Sequence, residues 1–303
     1  MESPPFHRPA AAFPPPRPVA EGATLAVVAP SGAFNRERFD EGMAILLTHY
    51  DIVYGEALFE KSGYFAGSDA SRAEQLRAAI ENPEVDAILC ARGGYGATRL
   101  LPEFDPADIA AANKTLVGFS DITALHGLWA RAGVRSIHAP MVASLAKASE
   151  HVIAEWFRTL EGRDGPESWK AETMVAGSAE GRLFGGNLAV LASLVGTPYA
   201  PPLEGCVLFL EDVGERPYRV DRVLTSLRQA GWLQRCAGFV IGAFTEGDPG
   251  PDGVSIDDVI RDRLGDIGVP VVTGFPAGHI DDNEPLTFGA LAHIGDGTVT
   301  IDA

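Results

Sequence analysis

The first 120 residues alternate short apolar runs with amphipathic stretches, and this alternation restricts the fold more than any other feature of the chain. Thr24–Pro30 (TLAVVAP), Ala87–Ala91 (AILCA) and Thr115–Phe119 (TLVGF) have strand length. Residues 37–50 and 73–81 place apolar side chains at helical spacing, and another helix is expected to begin at 98–101. Strands that are apolar on both faces, each followed by a helix, bury their side chains as a parallel sheet with helices on both sides. Residues 23–148 are therefore expected to form an α/β domain. The polar segment 149–170, broken by Gly162, Gly165 and Pro166, reads as a linker. Beyond it short strands dominate, at 181–184, 206–211, 238–244, 269–273 and 299–301, with helices at 187–194 and 219–230 only. Residues 171–303 are expected to form a smaller, β-rich domain. Residues 1–22, rich in proline and alanine, read as a disordered extension.

Composition removes several classes of partner. The 303 residues carry 24 basic and 41 acidic side chains, a net charge of -17, which repels nucleic acid and anionic membrane surfaces. No stretch of about 18 residues is free of polar interruption, so a membrane span is not expected. Cys90, Cys206 and Cys236 are odd in number and lack metal-like spacing, which argues against a disulfide framework and for a reducing compartment. With no secretory leader in residues 1–21, the reading is a soluble, cytoplasmic protein.

Three polar residues stand where apolar runs end: Ser120 after LVGF, Glu211 after LFL, and His279 after FPAG. Strand ends open onto clefts, and serine, acid and histidine are the parts of a nucleophilic triad. Ser120 precedes a stretch with apolar residues at 122, 125, 128 and 129, giving a strand, a turn and a helix, the context of a nucleophile elbow. In that turn the Asp121 N–H is the natural first donor to an oxyanion. A helix N-cap serine is the alternative, and the second glycine usual in an elbow is replaced by Ile122. Arg92-Gly93-Gly94-Tyr95-Gly96 also follows a strand. It fails the dinucleotide fingerprint because Arg99 holds the final glycine position, and it lacks a phosphate-loop lysine. It serves either as a tight turn or as the source of a second oxyanion donor, Gly94 N–H, with Arg92 or Tyr95 near a substrate carboxylate. Asp281, Asp282 and Glu284 beside His279 offer a rival, a hard-metal loop, whereas zinc spacing is missing. His126 and His138 read as structural, and Glu215 with Arg219 as either a substrate contact or a surface pair.

Taken together these segments resemble the LD-carboxypeptidases, or muramoyltetrapeptide carboxypeptidases, a family of serine peptidases. The resemblance covers most of residues 23–303. It rests on Ala29-Pro30-Ser31-Gly32, Arg92 to Gly96, Gly118 to His126, His138-Ala139-Pro140-Met141, Gly185-Gly186-Asn187-Leu188, Gly196-Thr197-Pro198, Leu210-Glu211-Asp212, Tyr218 to Arg222 and Gly278-His279. Ala139 departs mildly from the glycine common in relatives. The resemblance implies a Rossmann-like N-terminal domain carrying the nucleophile and a barrel-like C-terminal domain carrying the acid and histidine. It implies Ser120 as nucleophile, His279 as general base, Glu211 as the group orienting the imidazole, and Gly94 and Asp121 as oxyanion donors. No metal or organic cofactor is expected. The implied substrate is a small peptide or muropeptide that loses its terminal D-alanine during wall recycling, and the implied assembly is a homodimer. Two alternatives stand beside it: a same-family hydrolase giving self-immunity to a peptide-nucleotide antibiotic, and a non-enzymatic two-domain binding protein.

Overall fold

The computed structural model describes residues 9–162 and 165–302. Its strands are β1 Thr24–Val28, β2 Asp51–Val53, β3 Ala87–Cys90, β4 Thr115–Gly118, β5 Ser136–His138, β6 Glu167–Lys170, β7 Glu172–Val175, β8 Ala179–Asn187, β9 Val207–Val213, β10 Gly238–Thr245, β11 Val271–Thr273, β12 Leu286–Phe288, β13 Leu291–Gly295 and β14 Thr298–Ile301. They form two sheets in two compact units.

The first unit comprises the described part of Pro14–Asp164 together with Asp281–Phe288. Its sheet has the order β12-β5-β4-β3-β1-β2. The first five strands in sequence are parallel, as the alternation requires, and β12 joins the edge antiparallel, with Leu286 opposite His138. Leu25, Val27, Ala87, Leu89, Val117 and Ile137 share one buried cluster with Phe39 and Leu46 of the helix Arg36–Leu46 and with Trp156, Phe157 and Leu160 of the helix Glu150–Glu161. The alternate residues Ala26, Val28, Ile88 and Leu116 are buried too, which is why these strands read as unbroken apolar runs.

The second unit comprises the described part of Met1–Phe13 with Gly165–Ile280 and Gly289–Ala303. Its eight strands run β6-β14-β13-β8-β9-β10-β11-β7. The two end strands β6 and β7 are separated in sequence by Ala171 alone, so the sheet must curl almost into a closed barrel. Strands β8, β9, β10 and β11 are parallel and the rest of the sheet is antiparallel.

Several expectations are corrected. The helix expected from 98–101 is two single 3-10 turns, Ala97–Arg99 and Leu101–Glu103, followed by a short helix at Pro106–Ala112. Pro102 and Pro106 stop continuous helix growth there. The segment 149–170 is not an irregular linker. Ser149 caps the helix Glu150–Glu161, whose buried Val152, Trp156, Phe157 and Leu160 lie on one face, and β6 follows. A third helix of the second half, Ile256–Leu264, starts with a capping box between Ser255 and Asp258. Residues 1–8 of the expected disordered extension lie outside the described residues. Within residues 9–22, Ala10 N donates to Gly205 O (3.0 Å), Arg182 N donates to Ala10 O (3.0 Å), and Phe13 N donates to Gly289 O (2.7 Å). Prolines disfavour helix there, and the peptide groups of Ala10 and Phe13 bond the barrel unit.

Candidate active site

In the first unit β4 ends at Gly118, and Ser120 opens a single 3-10 turn, Ser120–Ile122, that leads into the helix Thr123–Ala132. Ser120 has φ +64°, a left-handed conformation that costs a side-chain-bearing residue about 1 kcal/mol or more. That strained turn is what lifts a hydroxyl out of a sheet. Space for Ile122, where an elbow usually has glycine, comes from Gly118. A Cβ at 118 would approach the Ile122 side chain to 2.9 Å.

Strands β3 and β4 are neighbours, so the glycine loop after β3 runs beside the elbow. A Cβ on Gly93 would lie 3.0 Å from Ser120 Cβ and 3.2 Å from its Oγ. Gly94 and Gly96 have φ of +109° and +137°, which only glycine adopts freely. Arg92 is exposed and donates to the carbonyl of Ala33. Tyr95 is exposed, its ring 6.0 Å from that of Tyr64 and 5.7 Å from that of Phe65. Gly93 was not among the expected site residues, since its contact with Ser120 is set by strand order and has no local sequence signal. A Gly93→Ala variant should lower turnover about a hundredfold by displacing Ser120. Steady-state kinetics on the folded variant check this, and unchanged kcat would show that Ser120 tolerates the push.

Asp121 is 1% exposed. Its Oδ2 accepts from Ser31 Oγ (2.6 Å) and from Ala97 N (2.8 Å). Burial raises its pKa, and these two bonds pull it back. His126 is buried between Ser136 Oγ on Nδ1 (2.8 Å) and Gly118 O on Nε2 (2.8 Å). A carbonyl only accepts, so Nε2 carries the proton and the neutral ring fixes the strand two residues before Ser120. Burial pushes the pKa of His126 down to about 4, against the opposing pull of Gly118 O. An unfolded histidine takes up its proton near 6.5, so this contribution to stability is complete above that pH and is lost as pH falls towards 4. Wild type should exceed His126→Gln in unfolding free energy by a margin that shrinks by about 3 kcal/mol over that window. Urea titrations at both pH values read the margin, and a pH-independent one would refute the buried neutral ring.

In the barrel unit Glu211 of β9 is fully buried, and His279 Nδ1 lies 2.6 Å from its Oε2. The carboxylate can only accept, so Nδ1–H donates and Nε2 is left as the basic atom of the neutral ring. Burial lowers the His279 pKa, but the hydrogen bond and charge of Glu211 outweigh it and the net shift is upward. Gly278, φ +129°, is required here because a Cβ would come within 3.0 Å of both Glu211 Cβ and Oε2. The loop is pinned along β10 at a register shift between Ile241 and Phe244, where Ala243 N donates to Ala277 O (2.8 Å). Asp212 accepts from Asn187 Nδ2 (2.8 Å), Val213 N and Ala189 N, tying the Gly185-Gly186-Asn187 segment to β9. Burial raises its pKa to about 6 despite these bonds.

Each unit thus assembles its own part of the expected set: Ser120, Asp121 and the Arg92–Gly96 loop in one, Glu211 and His279 in the other. Two of the three acids of the rival metal loop have other partners. Asp282 accepts from Ser149 N (2.9 Å) and Glu284 pairs with His151 (3.0 Å). Among the described residues no group of three or more His, Cys, Asp or Glu is arranged to hold a metal ion. Glu215 lies 3.7 Å from Arg219 as a surface pair. Cys90, Cys206 and Cys236 are buried free thiols whose pKa values burial pushes up, Cys206 to about 11, so none is poised as a thiolate nucleophile. No helix among the described residues is long and apolar enough to cross a membrane.

Comparison with known proteins agrees across both units. Residues 25–139 match the family described as LD-carboxypeptidase N-terminal domain, and residues 180–294 match the LD-carboxypeptidase C-terminal domain. A relative from Streptomyces coelicolor is 41% identical, covering 94% of each chain. The murein tetrapeptide carboxypeptidase of Pseudomonas aeruginosa is 31% identical over 88% of this chain and 92% of its own. The crystal structure of muramoyltetrapeptide carboxypeptidase from Oxalobacter formigenes superposes with a TM-score of 0.84 at 30% identity, covering 92% of this chain and 98% of that one.

Proposed function

The chain belongs to the LD-carboxypeptidase family of serine peptidases, and on that premise we propose that Ser120, His279 and Glu211 act together to release the terminal D-alanine from murein tetrapeptides. The observation that carries this reading is the left-handed Ser120 at the end of a buried strand, a conformation held at a cost that a mere helix cap does not require. Nε2 of His279 takes the Ser120 proton, Oγ attacks the peptide carbonyl, and the N–H groups of Gly94 and Asp121 stabilise the oxyanion. D-alanine leaves with the proton that His279 returns, and a water activated by the same nitrogen hydrolyses the acyl-enzyme. Arg92 or Tyr95 lies near the substrate carboxylate. The step needs neither metal nor organic cofactor.

The tetrapeptide L-Ala-D-Glu-meso-diaminopimelate-D-Ala should lose D-alanine, read by mass spectrometry, and an isomer with a D-centre before the scissile bond should not. A folded protein that leaves the tetrapeptide intact would overturn the reading, and cleavage of a peptidyl-adenylate instead would identify the antibiotic-immunity branch. Wall recycling places this substrate in the cytoplasm, and the family expectation is a homodimer. Sedimentation at micromolar concentration should give about twice the 32.0 kDa chain mass, and a monomer would refute that assembly.

A further inference from the structure

Two buried side chains of opposite charge grip the loops around Ser120. Arg72, on the helix Asp69–Glu81, is fully buried. Its Nη1 donates to the carbonyl of Pro30 and, at 3.0 Å, to that of Gly96. Its Nη2 pairs with Asp69, and its guanidinium lies 4.7 Å from the ring centre of Phe65. Asp121 holds the next residue of each of the same two segments, accepting from Ser31 Oγ and Ala97 N. A Cβ on Gly96 would fall 2.6 Å from Arg72 Nη1, so only glycine lets the backbone meet the guanidinium this closely. The glycine loop therefore leaves β3 at a buried Ala91 and is fastened at its other end by both charges. Between these anchors lie Gly93, packed on Ser120, and Gly94.

We propose that Arg72 and the Asp121 carboxylate are positioning residues that clamp the glycine loop, keeping the Gly94 N–H aimed where the oxyanion develops. The inference rests on the proposed role of Ser120. Neither side chain needs to touch substrate. A buried guanidinium is expensive to hold, and here Nη1 is spent on two loop carbonyls and Nη2 on Asp69, with Nε buried and unpaired. An oxyanion donor works by being fixed before the charge appears, so a loosened loop should weaken transition-state binding and leave ground-state binding alone.

The test compares wild type, Arg72→Lys, Arg72→Met and Ser31→Ala with two ligands: a phosphinate analogue of the tetrahedral intermediate and the uncleavable tripeptide product. Arg72→Met should weaken the phosphinate about a hundredfold and lower kcat in proportion, with KM and tripeptide affinity within about twofold of wild type. Ser31→Ala, which removes one donor to Asp121 and no charge, should show the same selectivity at about tenfold, and Arg72→Lys should fall between the two. If Arg72→Met does not fold, Ser31→Ala and Arg72→Lys carry the comparison. Unchanged phosphinate affinity in the folded variants, or equal weakening of both ligands, would overturn the clamp alone. A wild type that neither cleaves the tetrapeptide nor binds the phosphinate would overturn the functional reading first, and the clamp with it.

Discussion

Ser120→Ala is expected to lower kcat about a millionfold while tripeptide affinity stays near that of wild type. Deleting a nucleophile costs far more than deleting an oxyanion donor, about 3 kcal/mol, because the remaining groups then have no oxygen to activate. The strained backbone adds a second, independent reading. Alanine bears the same backbone cost at φ +64° as serine, and Ser120→Ala and Ser120→Gly both lack the hydroxyl, so comparing these two variants isolates the strain. Ser120→Gly relieves the strain and should be more stable than Ser120→Ala by up to about 1 kcal/mol, although equally inactive. A glycine variant less stable than the alanine variant would show that the turn stores no strain.

Glu211→Gln should reduce kcat about ten-thousandfold, since an amide in place of the carboxylate can turn the imidazole into the wrong tautomer and no longer balances the imidazolium. It should also move the pH profile. Burial pulls the His279 pKa down, but Glu211 raises it above the usual 6.5, so in wild type the neutral base appears only as pH climbs through that raised value. The acidic limb of kcat/KM should therefore lie above 6.5. Without the Glu211 charge, burial dominates and the limb should shift to lower pH, with Asp212 and Glu246 holding back part of the shift. A pH profile measured on residual activity decides this, and an unmoved limb would separate Glu211 from the base.

How much of this was legible in the sequence depends on how local each cause is. The parallel sheet showed itself in Leu25 to Val28 and Leu116 to Val117 because burial on both faces writes continuous apolar runs. Ser120, Glu211 and His279 were legible as polar residues closing such runs. The helix Glu150–Glu161 was also visible in principle, through Val152, Trp156, Phe157 and Leu160 at helical spacing, but Gly162, Gly165 and Pro166 drew attention to the break after it. Other features had no local signal. Strand β12 joins a sheet assembled about 150 residues earlier in the chain, with Leu286 opposite His138. Gly93 matters because β3 and β4 are neighbours, and Arg72 reads as an ordinary charged helix residue until tertiary packing closes over it. The side chain of Asp121 was likewise missed, since only its N–H follows from the elbow pattern and its partners Ser31 and Ala97 are 90 and 24 residues distant.

As the proposed nucleophile, Ser120 must carry a covalent acyl intermediate. A depsipeptide with D-lactate in place of the terminal D-alanine has a better leaving group, which speeds acylation and lets the acyl-enzyme accumulate before water resolves it. Acid-quenched wild-type enzyme, examined by intact mass and then by peptide mapping, should carry the tripeptide acyl group on the fragment containing Ser120. D-lactate release without that adduct, or an adduct on any other residue, would contradict the assignment.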